Sequence, residues 1–486
     1  MLSILACHSY FLRFDQKQQE RARPYPPLAT LQVAATLREA GHQVALFDAM
    51  LAEGIEEYER QLLSMKPQLV LLYEDNFNFL SKMCLGKMRR AACEMIAAAC
   101  RVGARVIAAG SDVSDSPEAY LRAGADVALI GEGLLALREL LPRLDSQPNA
   151  HNSQLVQGVD NVATLIDGKL AITRGSKMAP TVWHDAIPAW DLVQFERYRA
   201  VWLKAHGYFS LNMAASKGCS FRCTWCAKPI WGNRYLQRTP AAVASEMAYL
   251  KHAFNVDHIW FADDIFGFRV DWVADLATAL TSVDGSLPFK IQTRADLVSK
   301  PMAQALKDAG CVEAWIGAES GSQRVLDAMN KGTNVDEIVT ARERLKAMSI
   351  RVGFFIQLGY LNEELSDILA TRDLLEAARP DDVGVSVSYP LPGTKFYDLV
   401  REQLGPKTHW QDSNDLAMMF QGTYTSDFYR AVRDLLHDQV ALEKLNVPER
   451  KSEYRNVRRM IQQRWKDLLS REPLFRTASS RPVTVF

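Results

Sequence analysis

The chain has 486 residues, of which 48% are hydrophobic and 23% are charged, and its formal net charge is zero. This length predicts two or three domains, because domains commonly hold about 100–200 residues. Zero net charge argues against nucleic acid as a partner, and no run approaches the roughly 20 apolar residues that span a bilayer. The N-terminus is too short and uncharged for a signal peptide, so we expect a cytoplasmic protein without a transmembrane segment.

Residues 1–145 alternate short β-rich runs with amphipathic helices, which is the pattern of a doubly wound parallel sheet. A helix is predicted over Leu28–Ala40, with Gly41 as its C-cap. We therefore expect a Rossmann-like domain of five strands, whose ligands lie at the carboxyl ends of the strands. The predicted strands are Leu2–Cys7, Gln43–Phe47, Leu69–Tyr73, Arg105–Ala109 and Val127–Ile130.

A connector over residues 146–205, with a hairpin at Ala163–Thr173, leads to a second βα alternation over residues 206–404. Six βα units predict a partial barrel, with its active site at the carboxyl ends of the strands. Residues 405–486 form a helical C-terminal region, whose basic part suits either an anionic partner or an exposed helical face. The predicted barrel strands are Ser210–Ala215, His258–Phe261, Phe289–Thr293, Val312–Gly317, Val352–Gln357 and Val383–Ser388.

Cys219, Cys223 and Cys226 follow the first of these strands with the spacing C-x3-C-x2-C. A structural zinc site usually needs a second pair of ligands, and no second cysteine pair follows. A disulfide with one spare cysteine is the other alternative, and it is disfavoured in a chain without a secretory signal. The spacing favours an iron–sulfur cluster held by three thiolates, with one iron left open for a small molecule.

This loop resembles that of the radical SAM enzymes, which have an aromatic residue before the last cysteine, here Trp225. The resemblance implies a 4Fe–4S cluster on the three cysteines, which would be both metal ligands and catalytic residues. It also implies that S-adenosyl-L-methionine (SAM) binds the open iron and is cleaved to a 5′-deoxyadenosyl radical, which abstracts a hydrogen atom from the substrate. Trp225 is a candidate cofactor contact.

By the same resemblance, polar residues at the later strand ends would bind SAM. Asp263 or Asp264 would lie near the methionine amino group, although aspartates there are equally suited to cap a helix. Arg294 would lie near the adenosine or the carboxylate, and Glu319 would face the ribose hydroxyls. A structural ion pair between Arg294 and Glu319 is the competing interpretation.

The fifth barrel strand carries one further candidate, Gln357, for a contact with SAM. The family often has Gly-x-Pro-Gly-Glu after this strand. Here Leu361 and Asn362 stand in place of the Pro and the Gly, so the turn that follows is expected to differ.

The N-terminal domain resembles the cobalamin-binding domain that precedes many radical SAM domains, in the runs 25–31, 39–48 and 124–133. It lacks the Asp-x-His-x-x-Gly motif, so cobalt would have no histidine ligand from such a motif. The alternative is a Rossmann-like scaffold that has lost its ligand. The candidate cobalamin contacts are Ser9, Tyr10, Tyr73, Glu74, Asp75, Gly110, Ser111, Gly131, Glu132 and Gly133.

The runs 316–323, 355–360 and 386–396 resemble the branch that contains the anaerobic magnesium-protoporphyrin IX monomethyl ester cyclase. We expect a cobalamin-dependent C-methyltransferase that acts on an unactivated carbon of a small-molecule substrate. A cyclase-like enzyme, in which the substrate radical is oxidised, is the first alternative, and a cobalamin sensor without turnover is the second. A reductant such as flavodoxin or ferredoxin is the expected protein partner.

Overall fold

The computed structural model describes residues 1–78, 86–175, 187–226, 230–404 and 416–477. These residues form two compact units. The first unit holds residues 1–219 and 230–264, and the second holds residues 220–226, 265–404 and 416–477. The expected division of the chain after residues 145, 205 and 404 stays a prediction.

A seven-stranded sheet is the framework of the first unit. Its strands are β1 (Ser3–Cys7), β2 (Gln43–Phe47), β3 (Leu69–Tyr73), β4 (Arg105–Ala109), β5 (Val127–Leu129), β6 (Val162–Ile166) and β7 (Lys169–Thr173). They lie in the order β2-β1-β3-β4-β5-β6-β7, and the first five are parallel. The hairpin predicted in the connector is present as β6 and β7, and it extends this sheet antiparallel to β5.

Helices cover the faces of this sheet. The sequence of β3 is Leu-Val-Leu-Leu-Tyr, and every residue is buried, as expected for a parallel strand covered on both faces. Met95 and Ile96 of one helix join Val106 and Ala108 of β4 in the core. The helices are α1 (Gln16–Arg21), α2 (Leu28–Glu39), α3 (Ile55–Met65), α4 (Gly86–Arg101), α5 (Ser111–Asp115), α6 (Pro117–Arg122), α7 (Leu134–Ser146), α8 (Asn152–Leu155) and α9 (Phe195–His206).

The first unit also contains the beginning of the second βα alternation. Its elements are β8 (Ser210–Met213), β9 (Ser216–Lys217), β10 (Leu236–Gln237), α10 (Pro240–Phe254) and β11 (His258–Phe261). Strands β8 and β11 are parallel, and the short strands β9 and β10 are antiparallel. The first barrel strand was predicted to reach Ala215, but it ends at Met213, and β9 follows as a separate strand that leads to the cysteines.

Four parallel strands form the sheet of the second unit, paired in the order β12-β13-β14-β15. The strands are β12 (Phe289–Thr293), β13 (Cys311–Glu319), β14 (Arg351–Leu358) and β15 (Asp382–Val387). All six predicted barrel strands are therefore present, two in the first unit and four in the second. The helices between them are α11 (Val270–Ser282), α12 (Lys300–Ala309), α13 (Gln323–Ala328), α14 (Val335–Ala347) and α15 (Leu365–Ala378).

The C-terminal part of the second unit is helical, as predicted, with α16 (Lys395–Leu404), α17 (Ser426–Leu442) and α18 (Lys451–Ser470). Two arginines of the basic helix α18 form ion pairs within the unit, Arg458 with Glu376 at 3.4 Å and Arg464 with Asp438. Within the described ranges, no helix combines the length and the apolar character needed to cross a membrane.

Candidate active site

Two carboxylates that follow β11 hold the chain that leads into the cysteine loop. Asp263 is buried and accepts hydrogen bonds from the backbone N–H of Ala215, at 3.0 Å, and from the hydroxyl of Ser216. Asp264 accepts a hydrogen bond from the N–H of Gly218 at 3.1 Å. These bonds fix the backbone directly before the first cysteine.

The predicted helix-capping role of these two acids is wrong, because the next helix, α11, begins at Val270 and has Arg269 at its N-cap. Burial raises the pKa of Asp263 to about 7, against the opposing effect of its hydrogen bond from Ser216. The contact of Asp263 or Asp264 with the amino group of SAM stays a prediction.

The residue before the first cysteine has to be a glycine. Gly218 has φ +74°, and a Cβ there would lie 2.3 Å from the carbonyl oxygen of Arg234. Any other side chain would push the loop away from Arg234, which lies two residues before β10. The backbone path that presents Cys219 therefore requires the glycine at position 218.

The second and third cysteines lie on one turn of the second unit. The N–H of Cys226 donates to the carbonyl oxygen of Cys223 at 3.4 Å. Between them, the N–H of Thr224 donates to the carbonyl oxygen of Met329 at 2.9 Å, and its hydroxyl lies 2.7 Å from that of Tyr360. These bonds connect the turn to Met329, which follows α13, and to Tyr360, which lies two residues after β14.

Arg294, at the end of β12, lies against the cysteine turn. Its Nη1 donates a hydrogen bond to the Sγ of Cys223 over 3.7 Å, and its guanidinium carbon lies 3.7 Å from the ring centroid of Phe221. Asp296 receives two further bonds from this arginine, at 2.9 and 3.0 Å, and the carbonyl oxygen of Lys331 receives a third at 2.7 Å. These bonds hold the guanidinium charge of Arg294 next to the sulfur of Cys223.

Glu319 ends β13 and pairs with Lys331. The distance from Lys331 Nζ to Glu319 Oε1 is 2.8 Å, and both side chains are 6% exposed. Glu319 has φ +61°, at a register shift between β13 and β14. The alternative of an ion pair between Arg294 and Glu319 is wrong, because the carboxylate partner of Arg294 is Asp296. The predicted contact of Glu319 with ribose stays a prediction.

Two predicted cofactor contacts have a buried polar atom that makes no hydrogen bond to the described part of the chain. They are Oε1 of Gln357, on β14, and Nε1 of Trp225, in the cysteine turn. Leaving such a group unsatisfied costs about 1–3 kcal/mol, so each one calls for an explanation such as a ligand. Trp225 also packs against the apolar cluster that contains Tyr360 and Phe396.

The three cysteines are of the residue type that binds iron–sulfur clusters. All three are partly exposed, and no disulfide joins them. Thiolates are the usual ligands of iron–sulfur clusters, and three of them leave one iron open. Across the described ranges, no three side chains of His, Cys, Asp or Glu are assembled as a metal site, and the ligand role of Cys219, Cys223 and Cys226 stays a prediction.

Ser9, which follows β1, is hydrogen-bonded to Glu74, which follows β3, at the carboxyl ends of the strands. The hydroxyl of Ser9 donates to Glu74 Oε1 at 2.5 Å, and its N–H donates to Oε2 at 3.3 Å. Burial raises the pKa of Glu74. A Cβ on Gly110 would lie 2.8 Å from the Cβ of Glu74, and the buried hydroxyl of Ser111 has no hydrogen-bond partner in the described chain.

Two other predicted cobalamin contacts make hydrogen bonds within the chain itself. The carboxylate of Asp75 accepts from the N–H of Ala29 at 3.1 Å and from that of Phe77 at 3.2 Å. The hydroxyl of Tyr10 donates to Asp15 at 3.1 Å. These bonds order the loops at the strand ends, and contacts of Asp75 and Tyr10 with a cofactor stay predictions.

A small pocket lies at the carboxyl end of β3, and we call it the β3 pocket. The hydroxyl of Tyr73 donates to the carbonyl oxygen of Glu132 at 2.6 Å. Lys217 forms an ion pair with the same Glu132 at 2.7 Å. Nearby, Gly131 and Gly133 have φ of +77° and +75° and shape the turn after β5. The lining includes Gln32, Tyr73, Asn76, Phe77, Glu132, Lys217 and Trp231.

The contacts predicted from the sequence include Tyr73 and Glu132 of this lining, but not Gln32, Asn76, Phe77, Lys217 or Trp231. The ring centroids of Trp231 and Phe77 are 5.0 Å apart, and the two rings form an aromatic side of the pocket. Lys217 stands two residues before Cys219, and Asn76 stands at the end of a predicted strand, so position gave a signal for both. The side-chain partners of these residues were not visible in the sequence.

The fold and the cysteine spacing are similar to those of radical SAM enzymes. Residues 213–375 match the family model described as the Radical SAM superfamily, so this part of the chain is a radical SAM domain. The architecture of the chain is the predicted one, a Rossmann-like domain, then a partial barrel and a helical C-terminal region, and it matches the fold of a cobalamin-dependent SAM radical enzyme.

Among curated proteins, the chain is similar to an uncharacterized methyltransferase of Pyrococcus horikoshii, with 23% identity over 379 residues that cover 77% of this chain and 78% of the relative. It is also similar to the anaerobic magnesium-protoporphyrin IX monomethyl ester cyclase of Rubrivivax gelatinosus, with 25% identity over 285 residues that cover 58% of this chain and 49% of the cyclase. The chain thus spans most of the first relative and about half of the second.

Among solved structures, the cobalamin-dependent SAM radical enzyme OxsB, with aqua-cobalamin and SAM bound, matches with a TM-score of 0.70 and 17% identity, over 96% of this chain and 72% of OxsB. The radical SAM methyltransferase TsrM of Kitasatospora setae, with tryptophan and a SAM analogue bound, matches with a TM-score of 0.66 and 17% identity, over 83% of this chain and 76% of TsrM. At this identity the likeness establishes the fold.

Proposed function

We propose that this chain is a cobalamin-dependent radical SAM enzyme that transfers a methyl group to an unactivated carbon of a small molecule. The observation that carries the proposal is the combination of two sites in one chain. One is the turn of the second unit that holds Cys223 and Cys226, with Arg294 beside Cys223, and the other is the β3 pocket at the end of a Rossmann-like sheet. Relatives named as methyltransferases, among them the Pyrococcus protein and the hopanoid C-3 methylase of Methylococcus capsulatus, support methyl transfer.

In this proposal Cys219, Cys223 and Cys226 hold the 4Fe–4S cluster, and the strand ends of the barrel hold SAM. Residues around the β3 pocket hold cobalamin. When bound, the cluster and SAM supply the radical that removes a substrate hydrogen, and cobalamin supplies the methyl group.

The residues of this chain contribute position and charge. Asp263 and Asp264 fix the backbone before the first cysteine, and Thr224 fixes the turn between the other two. Arg294 holds a positive charge at a cysteine sulfur. The buried Oε1 of Gln357 is an acceptor ready for a donor on SAM or on the substrate.

The cyclase-type reaction is the second candidate, and its support is the similarity to the magnesium-protoporphyrin IX monomethyl ester cyclases, at 25% identity. In that case the substrate radical would be oxidised and no methyl group would be added. We propose a cytoplasmic enzyme that receives electrons from a flavodoxin or ferredoxin in either case.

The test is anaerobic reconstitution of the full chain with iron, sulfide and hydroxocobalamin, followed by dithionite, SAM and mass spectrometry. Formation of both 5′-deoxyadenosine and S-adenosylhomocysteine supports the methyltransferase. Deoxyadenosine alone supports the cyclase-type reaction, and intact SAM with bound cobalamin supports a sensor. The Cys223→Ala variant should form no deoxyadenosine, whereas replacement of the core residue Cys311 by Ser should leave cluster loading intact.

A further inference from the structure

Two aromatic rings lie side by side on one face of the sheet in the second unit, and we call this pair, Trp315 on β13 and Phe355 on β14, the aromatic shelf. Their ring centroids are 4.8 Å apart and their planes differ by 30°, so the rings are stacked. Phe355 is 36% exposed, whereas its neighbours Phe354 and Ile356 are buried on the opposite face. An exposed ring on a parallel sheet points to a ligand, because the faces of such sheets are normally covered.

Cross-strand glycines explain why the two rings lie flat on the sheet. Gly353 is the register partner of Trp315, and a Cβ there would lie 2.5, 2.6 and 2.7 Å from three atoms of the indole, so the face of the ring covers the glycine. Gly384 is the register partner of Phe355, and a Cβ there would lie 3.3 Å from Cδ1 of the phenyl ring. Each ring therefore occupies the space of a side chain on the next strand. The opposite faces of the rings are presented away from the sheet.

The polar atom of the aromatic shelf is already used within the chain. The indole Nε1 of Trp315 donates to Oε1 of Glu313 at 2.8 Å, and Oε2 of Glu313 lies 3.5 Å from Nη1 of Arg351. The first of these bonds fixes the orientation of the indole. The two rings of the shelf therefore offer a ligand their faces and no free donor.

A buried polar group lies on the carboxyl side of the aromatic shelf. Gln357 follows Phe355 by two residues, so its side chain is on the same face of β14, about 7 Å further along the strand. It is 5% exposed, and its Oε1 has no hydrogen-bond partner among the described residues. A buried amide oxygen of this kind calls for a ligand that donates a hydrogen bond. The ring faces and the amide oxygen are two parts of one binding surface.

We propose that the aromatic shelf binds a flat conjugated ring of the substrate, with a hydrogen-bond donor of the substrate on Oε1 of Gln357. This inference rests on the proposed function and names the class of substrate. Aromatic rings gain from offset stacking on another ring, and a puckered saturated ring makes fewer contacts with such a surface. Because Gln357 lies at the strand end where SAM is proposed to bind, the stacked ring is placed next to SAM along β14.

The test uses the full chain labelled with 5-fluorotryptophan and fluorine nuclear magnetic resonance. The chain has ten tryptophans, and the Trp315→Phe variant, which lacks one signal, assigns that of residue 315. The probe is 2-naphthamide, which is flat and carries an N–H donor. Its control is decahydro-2-naphthamide, in which the same ring carbons are saturated. We expect 2-naphthamide to shift the signal of Trp315, and the saturated compound to bind about tenfold more weakly.

Variants locate the binding site. Phe355→Leu keeps an apolar side chain but removes one ring, and it should weaken the binding of 2-naphthamide about tenfold. The matched control is Tyr249→Leu, because Tyr249 on α10 is 38% exposed, and it should bind the probe as wild type does. Should Phe355→Leu not fold, Gly384→Ala gives the same decision, because its methyl group displaces the ring of Phe355 and should also weaken binding.

The outcomes separate this inference from the proposed function. An unshifted Trp315 signal, equal binding of the flat and the saturated compound, or wild-type affinity in Phe355→Leu overturns the role of the aromatic shelf. Formation of 5′-deoxyadenosine by the wild-type chain would then still support the proposed function. Ring-dependent binding in a reconstituted chain that leaves SAM intact overturns the proposed function and leaves the shelf as a binding site for a flat ring.

Discussion

The Nη1 of Arg294 donates a hydrogen bond to the Sγ of Cys223 over 3.7 Å. The other nitrogens of the guanidinium bind Asp296 and the carbonyl oxygen of Lys331, and these bonds hold the charge in place. Hydrogen bonds to the sulfurs and nearby charge are two means by which a protein sets the potential of an iron–sulfur cluster. Arg294 is therefore a positioning residue for the turn and an electrostatic partner of the cluster that we propose there.

We expect Arg294→Gln to make the cluster harder to reduce, because a positive charge next to the sulfur is lost. Loss of a partner of a metal ligand commonly lowers metal affinity or activity about 10–100-fold, and we expect SAM cleavage to fall within that range. A redox titration followed by electron paramagnetic resonance measures the potential. The control is Arg269→Gln, since Arg269 is 66% exposed and pairs with Asp271. Unchanged potential and iron content in Arg294→Gln would contradict this role.

The buried pair Glu319–Lys331 gives a second prediction. Breaking a buried ion pair on one side costs about 3–5 kcal/mol, because the other charge stays buried without a partner. We expect Glu319→Gln and Lys331→Met each to lower the free energy of unfolding by about this amount. The double variant should recover part of the loss.

The same double variant tests the predicted ribose contact of Glu319. If Glu319 also binds SAM, the double variant should regain stability while the Kd for SAM stays raised, as measured by isothermal titration under anaerobic conditions. Recovery of both stability and SAM affinity would assign Glu319 a purely structural role.

Most strands of the first sheet could be predicted because they consist mainly of apolar residues. Strands β2, β3 and β4 have the predicted bounds, and β3 and most of β4 are fully buried, so burial on both faces demands an uninterrupted run. The spacing of Cys219, Cys223 and Cys226 likewise lies within eight residues and can be recognised from the sequence alone. Both patterns involve residues that are close together in the sequence, so they can be recognised without the structure.

Partners of charged side chains could not be predicted in the same way. Arg294 and Glu319 looked suited to each other, but Asp296 lies only two residues from Arg294, and Lys331 reaches Glu319 from the chain after α13. Which carboxylate an arginine meets depends on rotamers and on the approach of separate elements. Asp263 and Asp264 illustrate the same limit, because the sequence places them before a helix while the fold directs them to the chain before Cys219.

The Asp264 contact predicts a loss of cluster stability without loss of the fold. Asp264→Ala removes the acceptor of the Gly218 N–H, and a hydrogen bond to a charged group contributes about 1.5–3 kcal/mol. We expect faster loss of iron to a chelator and a melting temperature that is lowered by a few degrees, with the fold retained. Asp264→Asn keeps an acceptor oxygen and should lie between wild type and Asp264→Ala, whereas Asp271→Ala, at an exposed position, should behave as wild type. Equal rates of iron loss in all four proteins would exclude Asp264 as an anchor.

Glu363, in the turn after β14, gives a prediction on pH. It is fully buried, its Oε2 accepts from the N–H of Gly359 at 2.6 Å, and its Oε1 has no partner among the described residues. Burial raises the pKa of Glu363 from 4.5 to about 8. Between these two pH values the folded chain keeps a proton that the unfolded chain has lost. The free energy of unfolding therefore falls as pH rises from 4.5 to 8, by up to about 1.4 kcal/mol per pH unit from this group.

Glu363→Gln has no proton to lose and should not show this decline. At pH 5 we expect the variant and wild type to have similar stability, because the protonated carboxyl and the amide each place a neutral donor at the unpartnered site of Oε1. The variant should become the more stable of the two as pH approaches 8, because only the wild-type carboxyl then becomes charged in a buried site. Melting temperatures at intervals between pH 5 and 8 measure this, with Glu402→Gln, at an exposed position of α16, as the control. Parallel pH profiles for wild type and Glu363→Gln would show that Glu363 does not hold a proton in the folded chain.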